Sequence, residues 1–359
     1  MRQDTTIARP WVIVVGGFLG SGKTTLLLAA AQQLESRGLR SALILNDQGE
    51  SLVDTEYAAL HGLEHGEVTG GCFCCRFSDL IEVMGQLCEH SPDVIFAEPV
   101  GSCADISATT LRPLLEYNES YRLAPFTVLA DLERARELLR DDADPSLSFL
   151  FRSQLQEADL VCFTKADITP DYPAIDARQV RQVSAKTGQG VAAWLDEMMS
   201  GSLSAGGEIL TIDYEKYARA EAALAWLNLE VVVEPEEALS GAVILGPLLD
   251  KLDADFTAAG ISIVHLKAII NSHEGYLKAA ICANGQSPIV EGALVASPAS
   301  RHHLLLNLRA LGTATHVRAI VEEKVCKIGG LLTGLRVSCF HPAPPKPERR
   351  IPRIQNLGI

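Results

Sequence analysis

The sequence predicts an α/β fold: a mostly parallel sheet covered by helices, followed by a smaller α+β domain. Three observations predict it. Near-continuous apolar strands alternate with helix-like segments through the first 200 residues, the pattern of a parallel sheet buried on both faces. One strand–helix junction, "GFLGSGKT", carries the full phosphate-loop spacing G-x-x-x-x-G-K-[ST]. Past residue 220 the pattern changes to successive strands with only two helical stretches.

The elements follow in order. "WVIVVGG" (11–17) reads as a buried strand, and "GKTTLLLAAAQQLESRG" (22–38) as a helix stopped by Gly38. "SALILND" is the next strand, "FSDLIEVMGQLCEH" a helix, and "DVIFAEP" and "FTVLAD" two further strands. "SLSFLFRSQLQEA" is helical, "DLVCFTKAD" and "QVRQVSA" are strands, and "GVAAWLDEMMSG" closes the first domain as a helix. Residues 201–219, opening "GSLSAGGE", read as a linker. Residues 220–338 form the α+β domain. Its "ISIVHLKAII" and "GYLKAAICA" make a hairpin across "NSHEG", and "THVRAIVEEKV" is a closing helix. Residues 339–359 hold five prolines and several basic residues, so an extended tail is expected.

Composition bounds the function. The 359 residues suffice for two cores, and 47% hydrophobic with 21% charged is an ordinary globular balance. Lys and Arg total 31 and Asp and Glu 45, a net charge of −14. That acidity argues against nucleic acid or an anionic membrane as the main partner. "MRQDTTIARPW" lacks an apolar signal core and no apolar run is long enough to span a bilayer, so a reducing cytoplasm is expected. There, clustered cysteines favour metal or redox chemistry over disulfides.

The phosphate loop supplies Gly17, Gly20, Ser21, Gly22, Lys23, Thr24 and Thr25. Glycines let backbone N–H groups converge on phosphate oxygens, and the helix N-terminus adds its positive end. Lys23 bridges the outer phosphates and the Thr24 hydroxyl ligates Mg²⁺. "DVIFAEPVG" adds Glu98, at a strand end, to hold Mg²⁺ through water or to orient the attacking water. The Gly101 N–H is placed to sense the terminal phosphate. Lys23, Glu98 and Gly101 are the candidate catalytic residues.

"FTKAD" and "VSAKTGQG" each end a strand, and point to the base. Asp167 can accept from the N1–H and N2–H₂ edge of guanine, a donor pair that adenine lacks. Lys165 can lay its stem along the ring, and Ser184, Ala185 and Lys186 form the second base loop, with the Ala185 N–H on guanine O6. Thr164 stands where asparagine is common, which relaxes the expected selectivity for GTP over ATP.

Three of the nine cysteines, Cys72, Cys74 and Cys75, fall within "GGCFCCRF". Adjacent cysteines form a disulfide only with strain, and three close thiolates suit Zn²⁺, Cu(I) or Co²⁺. Candidate fourth ligands are Asp47 and Glu50 of "NDQGE", and His61 and His65 at an i, i+4 helical spacing. Cys88, Cys103, Cys162, Cys282 and Cys326 read as core packing, and Cys339 with His341 as a weak C-x-H pair.

"GGFLGSGKTTLL", "NDQGE", "GGCFCC", "EPVG", "TKAD" and "SAKTGQG" occur in the order seen in the CobW-like GTPases, which the first 200 residues resemble. Those stand with the UreG and HypB metal-insertion GTPases. The resemblance implies a GTP-hydrolysing P-loop domain whose nucleotide residues are Lys23, Thr24, Glu98, Lys165 and Asp167. It implies Cys72, Cys74 and Cys75 as ligands of a transition metal, often zinc, with cobalt in the cobalamin branch. The second half resembles the family only in its order of elements, and the family's histidine-rich loop is missing from a chain with nine histidines. The reading is a GTP-driven metallochaperone with slow intrinsic hydrolysis, using GTP/GDP, Mg²⁺ and Zn²⁺ or Co²⁺. Its partner is a client metalloprotein or corrinoid enzyme, and a homodimer is left open. The rivals are a GTP-dependent partner switch whose thiols are a structural zinc clip, and a small-molecule kinase on the same loop.

Overall fold

The computed structural model describes residues 9–49, 52–117, 119–168, 171–176, 179–293 and 298–352. It divides into two compact units. The first takes residues up to 47, then 58–217 and the tail from 345; the second takes 48–57 and 218–344.

The first unit is a parallel sheet between helices. Its elements run β1 (Trp11–Gly17), α1 (Lys23–Ser36), β2 (Ser41–Asn46), α2 (Val53–Leu60, of which the residues up to 57 belong to the second unit), β3 (Glu64–Val68), α3 (Phe77–Cys88) and β4 (Val94–Glu98). A π-helical turn, Ser107–Leu111, then runs into α4 (Arg112–Leu115). After it come β5 (Arg122–Leu123), β6 (Thr127–Asp131), α5 (Leu132–Leu138), α6 (Pro145–Gln156), β7 (Leu160–Thr164), β8 (Val180–Gln182), α7 (Val191–Met198) and α8 (Tyr214–Ala222). The main strand order is β3-β2-β4-β1-β6-β7-β8, with β5 beside the start of β1. All pairings are parallel.

The strands are apolar throughout because both faces are covered. Val12 to Val15 of β1 and Val94 to Phe96 of β4 are fully buried. One face packs Leu26, Leu27, Ala30 and Leu34 of α1 against Trp194 and Leu195 of α7. The chain leaves β1 for β2 on one side, and later passes from β4 to β6 on the other. The loop after β1 therefore opens where the strand order reverses, the usual ligand crevice of such sheets.

The second unit holds β9 (Leu224–Glu234), α9 (Gly241–Ala258), β10 (Ser262–Ser272), β11 (Gly275–Ile281), β12 (Ile289–Gly292), β13 (His302–Leu311), α10 (Ala314–Val325) and β14 (Leu331–Phe340). The sheet order is β12-β11-β10-β13-β9-β14, every pair antiparallel. The expected hairpin forms with Ser272 opposite Gly275. α9 and α10 bury Leu248, Leu252, Phe256, Val317 and Val321 on the sheet.

Several expectations need correction. Residues 201–219 are not a free linker. Gly206 and Gly207 donate to the Asp159 carboxylate at 2.8 Å each, and α8 begins at Tyr214. Residues 331–340 form β14, an edge strand hidden by Gly334 and its exposed side chains. Cys339 lies in that strand, half-buried against the core. His341 accepts from the Ala314 N–H at 3.1 Å and donates to the Leu224 carbonyl at 3.1 Å, so both ring nitrogens are engaged and the C-x-H pair is structural. Cys326 is exposed at the end of α10 rather than packed in the core. Among the described residues, no helix is long and apolar enough to cross a membrane.

Candidate functional site

The first loop is shaped for an anion. Gly17 has φ 139°, and a Cβ there would lie 2.5 Å from the Leu129 carbonyl oxygen, so no larger residue fits. Gly20 and Gly22 also have positive φ, and the Ser21 N–H closes a turn on the Phe18 carbonyl at 3.0 Å. Lys23 sits inside the loop with Nζ donating to the Gly17 carbonyl at 2.9 Å. Ser21 Oγ is buried and has no partner among the described residues. An orphaned hydroxyl at a helix N-terminus fits a phosphate oxygen.

The Thr24 hydroxyl donates to Glu98 Oε2 at 2.9 Å, and Lys23 Nζ lies 4.0 Å from Glu98 Oε1. All three side chains are buried. A hydroxyl and a carboxylate in contact beside the phosphate cradle are the oxygen donors that Mg²⁺ takes along with phosphate and water. Gly101 follows on the turn after β4. A Cβ there would come 3.1 Å from Lys23 Nζ, so the turn borders the cradle at close range.

The base-binding candidates gather at the carboxyl ends of β7 and β8, along the same sheet edge. Thr164 is buried and its hydroxyl reaches the Ala130 carbonyl at 3.5 Å. Lys165 adopts φ 58°, and its Nζ pairs with Asp131 at 2.7 Å instead of extending free. Asp131, at the end of β6, also caps α5 through the Arg134 N–H at 2.9 Å. Asp167 is exposed, Ala166 N–H donates to the Val183 carbonyl at 3.2 Å, and Ser184 Oγ accepts from Thr187 N–H at 3.2 Å. Ala185 is half-buried and Lys186 is exposed. Thr25, in the first turn of α1, is half-buried.

The thiols sit in a turn at the start of α3. Cys75 and Arg76 N–H groups both donate to the Cys72 carbonyl, at 2.9 and 3.0 Å. The sulfurs are 2.8 Å (Cys72–Cys74), 3.4 Å (Cys72–Cys75) and 3.7 Å (Cys74–Cys75) apart. Cys72 and Cys74 are buried and Cys75 is partly open. Hydrogen bonds from Cys103, then Cys74 and Cys75, hold the Cys72 thiol well below its usual range. Cys74 is correspondingly raised, first by Cys72 and then by Cys75 and burial. Cys75 is pushed up to about 11, chiefly by Cys72. The three thiols thus differ in acidity, and each that binds a soft cation gives up its proton.

Residues 11–191 match the CobW/HypB/UreG nucleotide-binding domain, which is half of the chain. The chain belongs to this family. Similar curated proteins include the zinc chaperone CobW of a Sinorhizobium species, 28% identical over 216 residues, covering 51% of this chain and 60% of that one. The zinc chaperone CobW of Pseudomonas aeruginosa is 30% identical over 209 residues, covering 50% and 54%. The zinc-regulated GTPase metalloprotein activator 1 of Schizosaccharomyces pombe is 27% identical over 180 residues, covering 46% and 41%. The chain thus spans less than two thirds of the length of these relatives.

In this CobW-family chain, three parts of the thiol site escaped the sequence reading. Asn46, the last residue of β2, donates to the Val68 and Gly71 carbonyls at 2.8 and 2.7 Å and accepts from the Phe73 N–H at 2.9 Å. The tail is the second. Lys346 N–H donates to Cys75 Sγ at 3.2 Å, Glu348 N–H to the Cys74 carbonyl at 2.8 Å, and Arg350 pairs with buried Asp105 at 2.7 Å. The third is Cys103, expected as core packing but placed against Cys72. Asn46 was legible as the first letter of "NDQGE"; nothing in the sequence pointed from residue 346 or residue 103 to the thiols.

Of the expected fourth ligands, those within the described residues do not join the thiols. Among the described residues, no Asp, Glu or His joins the three thiols within 4.8 Å. Asp47 donates its N–H to the Val68 carbonyl at 3.2 Å. His61 follows α2 in a turn and His65 lies in β3, so the helical i, i+4 spacing does not exist. His65 Nδ1 is 2.9 Å from the Leu63 carbonyl. Glu50 lies outside the described residues.

Proposed function

We propose that this chain is a GTP-hydrolysing metallochaperone, coupling nucleotide state to the binding and transfer of one transition-metal ion. The observation that carries it is the place of the thiols. Cys72, Cys74 and Cys75 hang from Asn46 at the end of β2, next to the strand β4 that carries Glu98. β4 lies between β1, which leads into the phosphate loop, and β2, which holds the thiol loop, so a change at the terminal phosphate has a short path to the thiols. Zinc is the cargo we infer, because three thiolates suit it and the similar proteins are named zinc chaperones. The recipient is a client metalloprotein, in a reducing compartment where thiols persist.

In this reading Gly17, Gly20, Ser21, Gly22 and Thr25 cradle the phosphates, and Lys23 leaves the Gly17 carbonyl to bridge them. Thr24 and Glu98 hold Mg²⁺, which when bound neutralises charge on the phosphate oxygens. Glu98 orients water, and the Gly101 N–H meets the terminal phosphate. Asp167 reads guanine, while Lys165, Thr164, Ser184, Ala185 and Lys186 shape the base pocket. Hydrolysis alone is slow, since no arginine is aimed at the loop by the described contacts.

The test is a zinc titration of the reduced full chain in a GTP-analogue state and a GDP state, by chelator competition. Coupling requires affinities that differ, about tenfold for each 1.4 kcal/mol. Equal affinities in the two states would sink the switch and leave a structural zinc clip.

A further inference from the structure

α6 touches the phosphate cradle from two sides. Asp144 caps its start, accepting the Ser146 and Leu147 N–H groups at 2.9 Å each, and Pro145 fills the first helical position. Further along, Phe151 meets Phe18 of the phosphate loop edge to face, with ring centroids 6.1 Å apart and planes at 89°. Both rings are buried. Gln154 stands three residues later, a neighbour of Phe151 on the helix surface. Its Nε2 donates to the carbonyls of Gly101 and Cys103, at 3.0 and 2.9 Å. Two carbonyl acceptors decide which way the amide faces. Its Oε1 is buried with no partner among the described residues, so Nε2 alone ties the side chain to the turn. Just past the helix, Glu157 Oε2 accepts the Ser107 N–H at 3.0 Å, holding the same segment farther on.

The gripped turn is the one that follows β4. The Cys103 N–H closes it on the Val100 carbonyl at 3.0 Å. It rests on the phosphate loop, since a Cβ on Gly101 would stand 2.9 Å from Leu19 Cδ2 and 3.1 Å from Lys23 Nζ. Gln154 takes the Gly101 carbonyl and leaves the Gly101 N–H unclaimed. One helix therefore holds the loop through Phe151 and the turn through Gln154.

We propose that Gln154 is a positioning residue for GTP hydrolysis. With Phe151 as the second anchor, it sets the distance between the phosphate loop and the Gly101 turn before the nucleotide arrives. This rests on the reading above that the Gly101 N–H meets the terminal phosphate. A donor fixed in advance needs no reorganisation as charge develops on the phosphoryl oxygens, and phosphoryl transfer is catalysed almost wholly by such positioning and charge stabilisation. A donor carried on a loose turn must be brought into place at every turnover. GDP lacks the terminal phosphate, so its binding does not depend on Gln154.

The test is single-turnover hydrolysis of GTP bound with Mg²⁺ to the full chain, alongside GDP affinity and urea unfolding. Gln154→Met keeps the length of the side chain and removes both hydrogen bonds. Its rate constant should fall by about 10- to 100-fold, the effect of misplacing a group by about 1 Å, with GDP affinity within about threefold of the wild type. A merely structural role predicts a lower urea midpoint with an unchanged rate constant in the folded chain, and that result overturns the proposal. Phe151→Leu tests the other anchor while keeping an apolar side chain. Its rate constant should fall by about two- to tenfold, and a folded Phe151→Leu chain with the wild-type rate overturns the proposal even if Gln154→Met does not fold. Gly101→Ala separates the two readings. If it hydrolyses GTP at the wild-type rate, the Gly101 reading fails and this proposal with it. A slow Gly101→Ala beside an unchanged Gln154→Met sinks the proposal alone.

Discussion

Asn46 accepts the Phe73 N–H at 2.9 Å, tying the end of β2 to the middle of the thiol loop. The same side chain donates to the carbonyls of Val68 and Gly71. A single amide thus fixes the loop on both flanks of Cys72. Asn46→Ala removes a side-chain partner from three backbone groups, of which the Val68 carbonyl keeps the Asp47 N–H, at about 1–3 kcal/mol for each group left unpaired before water enters. We expect the variant to lose about 2–4 kcal/mol in urea unfolding and at least about tenfold in zinc affinity. Unchanged zinc affinity would show that the loop organises itself without Asn46.

The tail covers the one partly open thiol. Lys346 reaches Cys75, Glu348 Oε2 accepts from Ser78 N–H and Oγ at 3.0 and 2.7 Å, and Arg350 holds Asp105. Ending the chain at residue 344 should speed metal loss to a chelator by about tenfold or more, with equilibrium affinity changed less. Stopped-flow transfer to a coloured chelator separates the two, and an unchanged rate would mean that the tail does not guard Cys75.

Gly101 leaves no spare room beside the phosphate cradle. A methyl group there would stand 3.1 Å from Lys23 Nζ and 2.9 Å from Leu19 Cδ2. Gly101→Ala should weaken GTP relative to GDP by about five- to tenfold, because the crowding falls where the terminal phosphate must enter. Fluorescent-nucleotide titration reads this directly. Equal weakening of both nucleotides would point to general damage to the loop.

Glu98 contacts Thr24 at 2.9 Å and is buried. Glu98→Gln keeps a hydrogen-bonding side chain but removes the charge that, in the proposed function, would hold Mg²⁺. GTP hydrolysis should fall by about 100-fold or more, with nucleotide affinity nearly kept. Retained turnover would move the water-orienting role elsewhere.

Glu157 is fully buried, its Oε2 accepting the Ser107 N–H at 3.0 Å. Burial, and next to it the negative charge of Asp105, push its carboxyl well above the usual range. A group that holds its proton more tightly when folded contributes fully below its unfolded pKa of about 4.3, and that contribution is lost as pH rises toward the folded value. Glu157→Gln keeps an acceptor for Ser107 and has no charge to bury. It should be more stable than the wild type near pH 8, with a smaller difference near pH 4. Parallel urea curves at both pH values would refute this if the difference did not change.

The nucleotide site was legible from local spacing. A phosphate loop is a short stretch whose glycines, lysine and threonine act through their own backbone, so the string "GFLGSGKT" carries nearly all of its geometry. Strand ends are nearly as readable, since an apolar run that stops at Glu98 or Thr164 stops at the same sheet edge. The thiol trio was legible because its members are neighbours in the chain. Its surroundings were not, because they come from distant positions. Asn46, Cys103 and Lys346 meet the thiols only after β2, β4 and the tail are folded against one another, and no periodicity records that meeting. The same limit hid the second unit's hold on residues 48–57, where Lys267 grips Asp54 at 2.6 Å.

By itself, the sequence determined which chemistry this protein carries: a phosphate cradle, an edge of polar strand ends and three soft ligands. Only the tertiary structure decided which groups surround the three thiols. It left Asp47 and the two imidazoles away from the three thiols, and laid the proline-rich tail beside Cys74 and Cys75. The physical reason is that local motifs are set by chain connectivity, whereas a coordination shell is set by which elements pack together.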